Sequence, residues 1–279
     1  MTRRWQPYLV LQACLILALA SGAPRTASAE IVDVELILAV DVSLSMSPQE
    51  LATQRDGYAA ALKSEPVVQA ILDGVHGKIA IAYVEWAGSG VQKVIVPWTI
   101  IDSATAAQAV AEQLTLHPPS SARRTSIAAA LTFAADMFAE SPHRGMKRVV
   151  DVSGDGPNNQ GGLVIPARDV LVEQGITVNG LPLMTQGGYS SVYDLPDLDR
   201  YYQHCVIGGP GAFMIPVNDW SQFPEAVRRK LVLELARNPR PQHAAEHVVP
   251  IQFSPPAADT DCEIGEKMWR NRSWMWDNR

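Results

Sequence analysis

The sequence predicts an α/β fold, a doubly wound and mostly parallel central sheet with one antiparallel edge strand and helices on both faces. Three observations predict it. Strand-like and helix-like segments alternate from residue 32 to about 236, the pattern of a parallel sheet covered on both sides. The first strand holds a nearly unbroken apolar run, Leu36-Ile37-Leu38-Ala39-Val40, which reads as a strand with no side facing water. Two further strand-like segments are separated only by Ala87-Gly88-Ser89-Gly90, close enough for a hairpin, and this supplies the antiparallel strand.

The elements follow in order. Ser47-Pro48-Gln49-Glu50 is a helix start, with a Ser cap, Pro at the first helical position and a Glu at the third that bonds back to the cap. Leu51, Arg55, Tyr58 and Leu62 give that helix a modest apolar stripe. Strands are expected over 78–86 and 93–101, and a helix over 104–114. His117-Pro118-Pro119-Ser120-Ser121 is a loop, after which Ile127, Leu131, Ala134 and Phe138 lie on one face of another helix. Next come a strand over 148–153, a helix over 164–174, a strand over 177–183 and a short last strand over 213–217. A helix over 221–236 closes the domain, with Phe223, Val227, Leu231 and Leu235 spaced four apart.

At 279 residues with 47% apolar content, the chain has enough material for a substantial core, and one domain accounts for the alternation. Arg3 and Arg4, an apolar stretch over 9–20 and the small residues Ala27-Ser28-Ala29 read as a secretory signal peptide over 1–29, with Glu30 as the mature N-terminus. Leu11-Gln12-Ala13-Cys14 is a poor lipoprotein box, because Gln12 is atypical and the apolar core runs past the cysteine. No later stretch reaches the roughly 20 apolar residues of a membrane span. The expected organisation is therefore a domain over 30–237 in a bacterial protein that is periplasmic or secreted. A C-terminal extension over 238–279, extended and rich in Trp and Arg, follows it.

Cleavage removes three of the 23 basic residues and leaves 29 acidic ones, so the mature chain carries about −9. No basic patch asks for nucleic acid. Cleavage also removes Cys14 and leaves Cys205 and Cys262, an even number in an oxidising compartment, and we expect them to pair. Such a bridge stabilises by about 4 kcal/mol in the chain-entropy description and ties the tail to the domain.

The chemistry lies in three loops. Asp41-Val42-Ser43-Leu44-Ser45 delivers a carboxylate and two hydroxyls where the first buried strand ends, the place at which open α/β sheets bind ligands. Ser47 takes the capping duty, so Ser43 and Ser45 have no such structural role. Thr125 stands in the loop before the Ile127 helix, and Asp155 follows the 148–153 strand. Taken alone, Thr125 reads equally as a helix cap and Asp155 as a turn residue.

On Asp41-Val42-Ser43-Leu44-Ser45, Arg124-Thr125-Ser126-Ile127 and Ser153-Gly154-Asp155-Gly156, the chain resembles the von Willebrand factor type A domain, a Rossmann-like fold, with its metal-ion-dependent adhesion site. The resemblance spans about 32–236. The strings Asp151-Val152-Ser153-Gly154-Asp155-Gly156-Pro157-Asn158-Asn159 and Cys205-Val206-Ile207-Gly208-Gly209-Pro210-Gly211-Ala212-Phe213 also look like an uncharacterised family of exported bacterial proteins built on one such domain. The resemblance implies that Ser43 and Ser45 coordinate Mg²⁺, or Mn²⁺, through their hydroxyls. Thr125 would do so directly or through water, and Asp41 and Asp155 largely through bound water. Magnesium wants six oxygens and gives up water reluctantly. Neutral hydroxyls next to it leave it electrophilic, so it accepts an Asp or Glu carboxylate of a protein or peptide partner as its last ligand.

The expectation is a binding module and not an enzyme. Alternatives are an envelope scaffold with a structural metal, and a hydrolase. The one hydrolytic-looking string, His243-Ala244-Ala245-Glu246-His247, spells the H-x-x-E-H zinc motif, which needs a helix to bring both His to one face. Pro239, Pro241 and Pro250 surround it, which favours a solvated linker.

Overall fold

A computed structural model describes residues 29–185, 195–236, 249–250 and 260–277. The expected signal peptide, apart from its last residue, and the H-x-x-E-H string lie outside these residues. The first strand, β1 (Glu30–Asp41), takes the middle of the sheet because it is apolar on both sides. Leu36, Leu38 and Val40 enter one core and Ile37 and Ala39 the other, as the two-residue period of a strand requires. It pairs in parallel with β2 (Ile79–Trp86) and with β4 (His143–Gly154).

Beyond β2, the hairpin partner β3 (Gln92–Ile101) runs antiparallel. On the other side, β5 (Thr177–Pro182) and β6 (Phe213–Met214) continue in parallel, and β7 (Val249–Pro250) closes that edge antiparallel. The sheet order is β3-β2-β1-β4-β5-β6-β7. The fold is thus the expected mostly parallel α/β sheet. The sequence did not signal β7, whose two residues end on a proline without an amide to donate.

Helices α1 (Pro48–Leu62), α2 (Glu65–Leu72), α3 (Ala104–Thr115) and α7 (Phe223–Leu235) cover one face. The other face carries α4 (Ile127–Ala139), α5 (Val164–Glu173) and α6 (Leu198–Tyr201), which runs on into a π turn over Tyr202–Val206. The start of α1 is the expected capping box: Ser47 Oγ accepts from the Glu50 amide at 3.3 Å and Glu50 Oε2 from the Ser47 amide at 2.7 Å. Leu51, Arg55, Tyr58 and Leu62 are all buried.

The extension differs from its reading as an extended tail: α8 (Ile264–Asp277) is a helix. The prolines of the extension lie before residue 257, whereas Glu266-Lys267-Met268 are good helix formers with an acid in the first turn. Cys205 and Cys262 form a disulfide with Cα atoms 5.5 Å apart, and Cys262 and Ile264 pack against the second core. The last parallel strand is shorter than expected. The 221–236 helix begins as a 3₁₀ turn, Trp220–Gln222, before α7.

Candidate metal centre

Asp41 ends β1 fully buried. Its Oδ1 accepts from the Ser43 amide at 2.8 Å and its backbone carbonyl from Gln54 Nε2 at 2.9 Å. Its Oδ2 is buried without a hydrogen-bond partner. Ser45 Oγ donates to Asp155 Oδ1 at 2.8 Å and lies 2.9 Å from Ser43 Oγ. A hydroxyl has one proton, so with that of Ser45 committed to Asp155, Ser43 is the donor between the serines. Four of the five expected residues thus stand in one run of oxygens at the C-terminal end of the sheet.

Thr125 joins them through backbone. Leu44 donates to the Ala122 carbonyl at 2.9 Å and Ala122 to that of Val42 at 3.1 Å, which stitches the Thr125 loop to the loop after β1. The Thr125 amide donates to Asn159 Oδ1 at 3.0 Å, and the Asn159 amide to the Thr125 carbonyl at 2.9 Å. That pair of bonds ties the same loop to the one carrying Asp155. Ser126, not Thr125, caps α4, accepting from the Ala129 amide at 3.3 Å. The Thr125 side chain, 5% exposed, has no capping role. Further back, a buried Arg55–Glu85 ion pair anchors the approach to the loop. Arg55 donates to the Leu114 and His117 carbonyls at 2.6 and 3.1 Å, and Glu85 accepts from the Ser120 amide at 3.1 Å.

Burial, then the like charge of Asp155, pushes the Asp41 carboxyl well above its usual range. Asp41 and Asp155 are therefore held together with a buried oxygen unsatisfied, a costly arrangement unless a proton or a cation neutralises it. The donors are all oxygens, mostly neutral hydroxyls, which fits a hard divalent ion. Among the described residues, no three His, Cys, Asp or Glu side chains gather as a metal-binding group.

Residues outside the five expected ligands also build the rim. Asn159 links two of the loops, and Asn158 Oδ1 accepts from the Ala128 amide in the first turn of α4 at 3.0 Å. Gly154 allows close approach: a Cβ there would sit 2.9 Å from both Asp41 Oδ2 and the Tyr202 hydroxyl. The signal was the string Asp155-Gly156-Pro157-Asn158-Asn159, in which paired Asn after a Gly-Pro turn offers side chains that mimic backbone.

With the rim described, its relatives can be stated. Residues 31–239 match a family described as protein of unknown function (DUF1194). The chain belongs to the DUF1194 family. Its fold is that of the von Willebrand factor type A domain. Mussel byssus proximal thread matrix protein 1 superposes with a TM-score of 0.54 at 16% identity, covering 75% of this chain and 49% of that one. A second structure of that protein, described with a zinc-occupied MIDAS motif, gives 0.51 at 17% identity over the same shares. The pilus adhesin SpaC of Lactobacillus rhamnosus GG gives 0.53 at 12% identity, covering 73% of this chain and 30% of the adhesin. This DUF1194 chain therefore spans about half of the first protein and under a third of the second. A search of curated proteins finds no sequence match.

Proposed function

We propose that this DUF1194 protein is a metal-dependent adhesion-type binding module that captures an Asp or Glu carboxylate of a protein partner through a divalent cation, Mg²⁺ or Mn²⁺. One observation carries the reading: Asp41 and Asp155 are brought together through Ser43 and Ser45, while Asp41 Oδ2 stays buried and unpaired. Ser43, Ser45 and Thr125 would hold the ion through hydroxyls and the two acids largely through water. When bound, the cation supplies an electrophilic position for a carboxylate. Hydrolysis would need a base beside a metal-bound water, and the acids at this rim are engaged in holding the ion, which favours binding over catalysis.

The relatives support the same direction. One neighbour is described with zinc in its MIDAS motif and another is a pilus adhesin. Export to the periplasm or outside rests on the leader read at 1–29, and a disulfide is at home in such a compartment. Calorimetric titration of the metal-free chain with Mg²⁺ and Mn²⁺ tests the proposal. One-site uptake that falls at least 100-fold in Asp41→Ala and Asp155→Ala supports it, and equal uptake by wild type and both variants sinks it. Uptake that raises thermal stability without any metal-dependent carboxylate binding would favour the scaffold reading instead.

A further inference from the structure

The DUF1194 match ends at residue 239, yet the helix beyond it lies against the metal rim. The backbone of α8 rests on the loop after Asp155: a Cβ on Gly265 would fall 2.0 Å from the Asn158 carbonyl oxygen. Glu266, nearly buried, accepts from Asn158 Nδ2 at 2.6 Å. The Trp269 ring lies 3.0 Å from the Arg124 guanidinium carbon. Arg124 is held in the left-handed region at φ 77°, where a non-glycine residue is costly, and it directly precedes Thr125. The Cys205–Cys262 disulfide fixes the start of the helix to the domain.

Dimensions decide what this contact means. Asn158 lies three residues from Asp155, so their Cα atoms are at most about 11 Å apart, and Arg124 is about 3.8 Å from Thr125. A helix with its side chains is about 10–12 Å across. A protein partner docking through a standard interface covers about 800 Å², a disc of about 16 Å radius. A broad face centred on the ion would therefore collide with α8. On the same rim, Leu44, between the two serines, is 51% exposed, an apolar surface beside the position of the ion.

We infer that α8, clamped by the disulfide, walls the metal rim, so that the site takes its carboxylate from a narrow protruding segment, an extended acidic peptide with an apolar neighbour that meets Leu44, and not from a broad flat face. The inference rests on the proposed metal site. Trp269 and the disulfide are the parts that keep the wall in place, and removing them should widen what the site accepts without altering the ion's own ligands.

The test presents one chemical group in two shapes. Oxidised wild type in Mn²⁺ is passed over a surface bearing single-aspartate Gly-Leu-Asp-Gly peptides on flexible linkers and over a dense, flat carboxylate monolayer, with chelator runs subtracted. We expect metal-dependent binding to the peptide surface and at least tenfold less to the monolayer. Trp269→Ala combined with Cys262→Ser should raise monolayer binding at least tenfold, with metal affinity unchanged by calorimetry and the fold checked by circular dichroism. Phosphine reduction of the wild-type disulfide gives a second route to the same release. Equal wild-type binding to the two surfaces, or an unchanged monolayer signal after both treatments in protein that takes up metal, overturns the wall. No metal uptake at all overturns the metal-site reading and this inference with it.

Discussion

Two clusters of acids lie along β4 and just past its C-terminal end, and their charges are handled differently. On the α7 side, Asp151 pairs with the fully buried Lys230 at 2.7 Å, and Lys230 also pairs with Glu234. Asn179 donates to Glu234 Oε1 at 2.8 Å and accepts from the Phe213 amide at 2.9 Å. At the rim, just past the end of β4, Asp155 meets Asp41 through two serines, and among the described residues no lysine or arginine is paired with Asp41. The first cluster carries its own cation in Lys230, whereas Asp41 has none beside it among the described residues. A buried acid with a protein cation is a structural arrangement, whereas a buried acid facing another acid is neutralised by a proton or, as we propose for this rim, by an ion from solution.

The largest effect should come from removing the protein cation. Lys230→Met leaves Asp151 and Glu234 buried without their partner and should cost about 3–5 kcal/mol in urea denaturation. At the rim, Asp41→Asn removes like-charge repulsion, so the metal-free protein should change by less than about 1 kcal/mol while losing metal uptake. A rim variant as damaging as the core variant, in the absence of metal, would erase the distinction between the clusters.

Next in size is pH. Burial raises the Glu234 carboxyl from 4.5 to about 7, against the pull of Lys230. Its folded value lies above its unfolded one, so the folded state holds the proton more tightly. The resulting stabilisation is fully present below about 4.5 and is lost as pH rises through about 7, on the order of 3 kcal/mol over that window. Denaturation of the metal-free Asp41→Asn protein at pH 5 and pH 8 isolates this core contribution, and Glu234→Gln should flatten it.

Metal comes third. If the rim binds an ion that the unfolded chain does not, Mg²⁺ at 100 times its dissociation constant should add about 2.7 kcal/mol. The gain should persist in Glu234→Gln and vanish in Asp41→Asn. A gain that survives in Asp41→Asn would place the ion elsewhere.

The unequal legibility of the two clusters in the sequence has physical reasons. The order of strands and helices was readable because the apolar run of β1 and the four-residue spacing on α4 and α7 are local patterns set by burial. The five residues proposed for the rim stand out in the sequence because Asp41 ends β1 and Ser43, Ser45, Thr125 and Asp155 lie in the loops beside strand ends and before α4. Lys230 does not, since a lysine beside Val227 and Leu231 on a helix usually reaches water, and only the approach of β4 and β5 decides that this one does not. The α2 helix and the π turn after α6 are too short for periodicity to show. The helical end of the tail was hidden because its packing depends on a disulfide partner 57 residues away.

The smallest predicted effect separates packing from coordination at a single position. Gly154 sits where the strand shared by both clusters reaches the rim, and an added methyl would approach Asp41 Oδ2 and the Tyr202 hydroxyl to 2.9 Å each. Gly154→Ala should cost about 1–2 kcal/mol through overpacking. It should also weaken Mg²⁺ about tenfold, because that ion demands near-octahedral geometry and the Asp41 carboxylate must shift by some tenths of an ångström. Adding Tyr202→Phe removes one of the two obstructing oxygens and leaves the other, so stability should recover in part while metal affinity stays low. Recovery of both together, measured by denaturation and calorimetry on the same preparations, would mean that Asp41 is not where the ion's geometry is set.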